Sequence, residues 1–187
     1  MASSDGALLT FLDLKDNHFY FDDLCGEDEL DSDAFKWSMA SPKLVRSPDN
    51  KFLILNEENQ FDLKDLNIQQ QSCSNYKCYI NIYKDLSQQS ICGRAVMLYV
   101  LKDDRKYAAV CKNEKEISAE EIALQDRIEA SQHKALFYMV QNQQPHRYQF
   151  RSSLYPNKVI GFDEADSTKL ILCPYDPEDQ CDTFHIK

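Results

Sequence analysis

The sequence predicts an all-β body, a closed barrel or a trefoil, behind an acidic N-terminal segment. Beyond residue 40 the apolar residues come in runs of four to nine, enriched in β-branched and aromatic types. Stretches containing Asn, Asp, Ser, Gln or Pro separate them. Twelve such runs fall in about 150 residues, at intervals of roughly 8–15, which is the punctuation of short antiparallel strands.

In chain order the runs are KLVR (43–46), KFLIL (51–55), NQFDL (59–63), KCYINIY (77–83), GRAVMLYVL (93–101), KYAAVC (106–111), EIALQ (121–125), ALFYMV (135–140), HRYQFR (146–151), NKVIGFD (157–163), LILC (170–173) and DTFHI (182–186). Cys78, Ile80 and Ile82 alternate with Tyr79, Asn81 and Tyr83, so one face of that strand is expected in the core and the other in solvent. The segment NEKEISAEEIALQDRIEASQHKAL alone has helical composition, and a helical turn is expected there. Upstream, ALLTFLDL and HFYF are apolar enough to pair or to add strands to an exposed edge.

Charge divides the chain sharply. Of the 31 Asp and Glu, ten lie in residues 1–33, where Lys15 is the only base, a net of −9. The other 154 residues carry 20 bases against 21 acids, a net of −1, which is a mixed surface that argues against nucleic-acid binding. The start, MASSDGALLTFLDLKD, lacks a basic n-region and has an apolar run of only six residues, and nothing approaches a membrane span. Seven irregularly spaced cysteines and no Asn-x-Ser/Thr sequon predict reduced thiols and synthesis in the cytosol.

Catalytic patterns are sparse. Glycines 6, 26, 93 and 161 make no phosphate-cradling loop, nucleophile elbow or dinucleotide fingerprint. Cys73 and Cys78 have the wrong spacing for a zinc knuckle, so neither a metal nor a cofactor is expected. Cys111 with His133 is a conceivable nucleophile and base, but no local motif orients them. The chain is expected not to be an enzyme.

One motif has a mechanism. Leu30, Asp31, Ser32 and Asp33, followed by the small Ala34, make an accessible acidic tetrapeptide ending in Asp. An aspartate-specific cysteine protease requires this, because arginines in its S1 pocket pair with the carboxylate. The site coincides with the charge break, and chain termini are where proteolysis concentrates. The expected organisation is an acidic propeptide, 1–33, and a body, 34–187.

The window FYMVQNQQPHRYQFRSSLYPNKVIGF (137–162) resembles the interleukin-1 family signature. Phe137, twelve intervening residues, Phe150, and then Ser152, Ser153, Pro156, Val159 and Ile160 follow it, while Gly161-Phe162 replaces its usual ending. Within the family, NIYKDLSQQSICGRAVMLYV (81–100), TKLIL (168–172), LVRSPDNKFLIL (44–55) and KDNHFYFDDLCGEDELDSDAF (15–35) look most like the interleukin-18 branch. The resemblance implies a β-trefoil of twelve strands with an N-terminal pro-segment. It also implies a cytoplasmic precursor cut by an inflammatory caspase and secreted by a non-classical route. The mature monomer would bind immunoglobulin-like primary and accessory receptor chains, and a soluble binding protein as a further partner. Arg46, Asn50, Asp65 and Leu66 match the family's receptor-contacting positions, with Asn50 standing where an Asp is usual, and Lys84 and Asp85 match its YKD stretch. The alternative is an uncleaved intracellular binding protein, or a receptor decoy, on the same fold. Phe137, Phe150, Pro156, Val159 and Ile160 are expected as core and turn residues, and Ser152 and Ser153 as structural hydroxyls.

Overall fold

The computed structural model describes residues 9–15, 18–23, 35–85, 93–128, 132–141, 146–163, 165–166, 168–176 and 183–186. The chain divides into two compact units, Met1–Asp31 and Ser32–Lys187. In the first, β1 (Leu9–Lys15) pairs antiparallel with β2 (His18–Asp23), with a bulge between Phe11 and Asp13.

The second unit begins with β3 (Phe35–Lys43), β4 (Val45–Arg46), β5 (Phe52–Leu55) and β6 (Phe61–Lys64). The five-residue helix α1 (Ile68–Ser72) and a 3-10 turn (Ser74–Tyr76) lead to β7 (Cys78–Asp85). Then come β8 (Arg94–Lys102), β9 (Arg105–Cys111), β10 (Ile117–Glu121), β11 (Arg127–Ile128) and β12 (Phe137–Gln141). The last four are β13 (Arg147–Ser152), β14 (Lys158–Phe162), β15 (Leu170–Pro174) and β16 (Phe184–Ile186).

Antiparallel pairing runs β3-β7-β8-β12-β13-β16-β4. Only Leu44 separates β3 from β4, so the run closes on itself as a six-stranded barrel. Three hairpins hang from alternate staves: β5–β6 from β4, β9–β10 from β8, and β14–β15 from β13. Six staves and three hairpins at every second position make a β-trefoil. With β3 and β4 taken as one interrupted strand and the two-residue β11 set aside, the body has the expected twelve strands.

The barrel fills with residues from every repeat. Val45, Ile80, Val96, Leu98, Val100, Phe137, Phe150, Ile160 and Phe184 are buried in one cluster, with Phe150 edge-to-face on Phe184 at 5.4 Å. Phe137, Phe150, Val159 and Ile160 are fully buried, and Pro156 lies exposed in the turn after β13, as the window's pattern predicts.

Three local expectations are corrected. The sheet begins at Phe35, well before KLVR. Around residue 120 the strand is Ile117–Glu121, not 121–125, and it replaces the expected helical turn because Ser118 to Glu121 pair residue by residue with Val110 to Tyr107. The second face of β7 is not solvated: Asn81 and Tyr83 are buried. Ile128 packs with Tyr83 in a second cluster that Ile122 and Leu124 join. There Asn81 Nδ2 donates to the Tyr83 hydroxyl at 2.9 Å, and that hydroxyl donates to the Gln125 carbonyl at 3.0 Å. Buried polar groups on a strand demand such partners.

Candidate functional site

Four of the six proposed contact residues lie around the β4–β5–β6 hairpin. Arg46 ends β4, opposite His185 on β16 and Phe52 on β5, and its guanidinium lies 5.8 Å from the Phe52 ring centroid. Asn50 occupies the connecting turn with φ 64°, and its N–H donates to the Ser47 carbonyl at 3.0 Å. Asn adopts this left-handed conformation more readily than most residues, which gives the position a local structural reason for its side chain. Asp65 is exposed just beyond β6.

Leu66 is only 7% exposed and packs with Phe52 and Ile54, with Leu44 and Tyr76 against them. It anchors the hairpin from below, while its neighbour Asp65 faces solvent. The chain then turns into α1 through a capping box: Asn67 Oδ1 accepts from Gln70 N at 2.9 Å, and Gln70 Oε1 accepts from Asn67 N at 3.0 Å. Ile68, on the first turn, is 83% exposed. The motif N-x-x-Q was the sequence signal for this helix, which the strand pattern overlooked.

Lys84 and Asp85 lie elsewhere. They end β7 opposite Lys36 and Phe35, whereas the other end of the same ladder pairs Cys78 with Lys43. Seven steps along the strand separate Lys36 from Lys43, roughly 20 Å at the usual rise. The six residues therefore form two surfaces, one towards each end of β3. The cleavage residues Leu30, Asp31, Ser32, Asp33 and Ala34 lie outside the described residues.

Of the described cysteines, Cys78 and Cys111 are buried. Cys78 is completely buried, and desolvation pushes its thiol up to about 12. Burial also raises Cys111, and a hydrogen bond with Ser152 only partly offsets it; the two heteroatoms are 3.3 Å apart. Cys111 is thus held as a thiol, where a nucleophile would need the thiolate. His133 Nδ1 is engaged by the backbone: it accepts from Ala135 N at 3.1 Å, and burial followed by the Lys134 charge lowers the imidazole pKa. Among the described residues no group of three or more His, Cys, Asp or Glu is arranged to hold a metal, and no helix is long and apolar enough to cross a membrane.

The two signature serines have defined tasks. Ser152 Oγ accepts from Tyr155 N at 3.0 Å and shapes the turn after β13. Ser153 Oγ donates to the His133 carbonyl at 2.9 Å and accepts from His133 N at 3.1 Å, clamping the approach to β12. Ser153→Ala removes both bonds and strands two backbone groups, so it is expected to cost about 1–3 kcal/mol in urea unfolding. A change below about 0.5 kcal/mol would show that water replaces the hydroxyl.

Comparison with protein-family models and with characterised proteins finds no match in sequence. Among solved structures, chicken interleukin-1 beta aligns with a TM-score of 0.60 at 15% identity, over 82% of this chain and 99% of its own. A hydrophobic-cavity mutant of chicken interleukin-1 gives 0.60 at 16% identity with the same coverage. A mosquitocidal holotoxin gives 0.53 at 12%, over 80% of this chain and 17% of its own. At these identities the likeness carries the architecture alone: the chain has the β-trefoil fold of interleukin-1 beta.

Proposed function

We propose that the chain is a cytokine precursor of the interleukin-18 type. An inflammatory caspase cuts after Asp33, and the released body, 34–187, binds a primary immunoglobulin-like receptor chain and recruits an accessory chain resembling those of interleukin-18. The precursor is made in the cytosol and leaves the cell by a non-classical route.

The observation that carries this proposal is a coincidence of boundaries. The charge break and the tetrapeptide LDSD fall at Asp33, the body's first strand starts at Phe35, and the second compact unit starts at Ser32. A cut there separates a segment of net charge −9 from a body of net charge −1 without severing a strand of the barrel. Two surfaces some distance apart also suit two receptor chains: Arg46, Asn50 and Asp65 over Leu66 for one, Lys84 and Asp85 for the other.

Intact-mass analysis after treatment with a panel of inflammatory caspases tests the cut. The expected result is a single product beginning at Ala34, absent in Asp33→Ala, with receptor binding confined to the cut form. Full receptor affinity in the uncut chain would sink the proposal, and scattered cuts through the acidic segment would favour a constitutive binder or decoy.

A further inference from the structure

Strand register sets up a row of like charges with no ion-pair partner among the described residues. Arg147 on β13 is directly opposite His185 on β16, which is opposite Arg46 on β4, which is opposite Phe52 and then Lys64 across the first hairpin. Directly opposed residues share a face of the sheet, and here it is the outer one, since the neighbouring Val45, Phe184 and Phe150 fill the core. With strands about 4.8 Å apart, Arg147, His185 and Arg46 fall within about 10 Å. All three are partly exposed.

Like charges directly opposite one another destabilise a sheet, and an unpaired buried donor adds to the cost. Among the described residues none of the three has an ion-pair partner, and Arg46 Nε is buried without a hydrogen-bond partner. Burial first, and then the charges of Arg147, Arg46 and His146, hold the His185 pKa down. His146 precedes β13, and its carbonyl accepts from Ile186 N at 3.4 Å.

We propose that this row is a docking surface for an acidic segment of a partner protein, whose carboxylates supply the counter-charges that Arg46, Arg147 and His185 lack among the described residues. The inference rests on the proposed receptor-binding role of Arg46 and deepens it, naming carboxylates as the chemistry recognised and adding Arg147 and His185 as specificity-determining residues. A short acidic segment fits better than a long polyanion, because the body's net charge is −1 and the row itself brings only three cationic or titratable side chains within about 10 Å. Carboxylates seated here favour the imidazolium, so docking takes up a proton at His185 and strengthens as pH falls from 7.5 to 6.0.

The test uses the full chain before and after caspase cleavage, a fluorescein-labelled Glu-Gly-Glu-Gly-Glu peptide with its all-Gln counterpart, and NMR titration of the His185 ring. The expected result is binding of the Glu peptide only, a rise in the His185 titration midpoint on binding, and at least tenfold weaker binding in Arg46→Gln/Arg147→Gln. His185→Gln should remove the pH dependence with the fold intact. Equal binding by the double variant, or an unmoved midpoint, overturns the proposal. So does tighter capture of a heparin fragment than of the peptide, or the absence of peptide binding by both the uncut and the cut chain. Receptor binding by the caspase-cut chain is scored separately. Peptide bound without receptor engagement sinks the receptor proposal and leaves the row standing; receptor binding unchanged in the double variant does the reverse.

Discussion

Phe150→Ala is expected to lower stability by about 3–5 kcal/mol, enough to consume most of the margin of an ordinary domain. Phe150 is fully buried on β13 and meets Phe184 of β16 edge-to-face at 5.4 Å; Phe184 in turn lies 5.1 Å from Phe162 of β14. One ring therefore joins two barrel staves and, through Phe184, the third hairpin. Truncation loses the transfer free energy of the ring and the edge-to-face contacts, and it leaves a cavity between strands fixed by their hydrogen bonds. Urea unfolding followed by far-UV circular dichroism measures the effect, with Phe150→Leu expected to fall between alanine and wild type. A loss under about 1 kcal/mol for the alanine variant would mean that the core collapses around the site, contrary to the packing described.

Gly93→Ala is expected to be nearly as damaging, by a different route. Gly93 precedes β8 with φ +142°, a conformation that L-residues rarely adopt. A Cβ there would sit 2.9 Å from Val140 Cγ2 and 3.2 Å from the Met139 carbonyl oxygen, on the strand that pairs with β8 through Arg94. Val140 can rotate, but the carbonyl belongs to β12, whose backbone is fixed by pairing on both sides. The expected loss is about 2–4 kcal/mol, combining backbone strain with the shift that β12 must make. Thermal unfolding of the variant checks it, and an unchanged midpoint would show that the backbone at Gly93 rearranges without cost.

The residues that declared the fold most clearly are those whose burial and spacing agree. GRAVMLYVL reads as a strand, and β8 is that strand, buried on both faces: it serves the main core with Val96, Leu98 and Val100 and the second core with Ala95 and Met97. The window from Phe137 to Ile160 was legible for the same reason. Strand β3 was not. Ser38, Ala40, Ser41 and Pro42 have little intrinsic β preference, and the strand is held by its ladder to β7, a pairing between residues some forty positions apart. Pro42 is tolerated because β11 reaches only Phe35 and Lys36 on the other side, leaving that stretch as an edge. The Glu-rich segment around residue 120 misled through propensity, which pairing with β9 overrode. At the candidate surface, Arg46 and Asp65 were nameable individually. The burial of Leu66, the distance of Lys84 from the others, and the alignment of Arg147 and His185 with Arg46 depend on register, which no local pattern encodes.

Closure of the barrel at β4 and β16 bears on how the protein is made. Arg46 and His185 are about 140 positions apart in sequence, and their pairing is the last seam of the ring. A nascent chain can form each hairpin as it emerges, yet no ring exists until Phe184 has left the ribosome. Until then Val45 and its neighbours present an unsealed apolar edge, which is the species that chaperones bind and that aggregates when they are scarce.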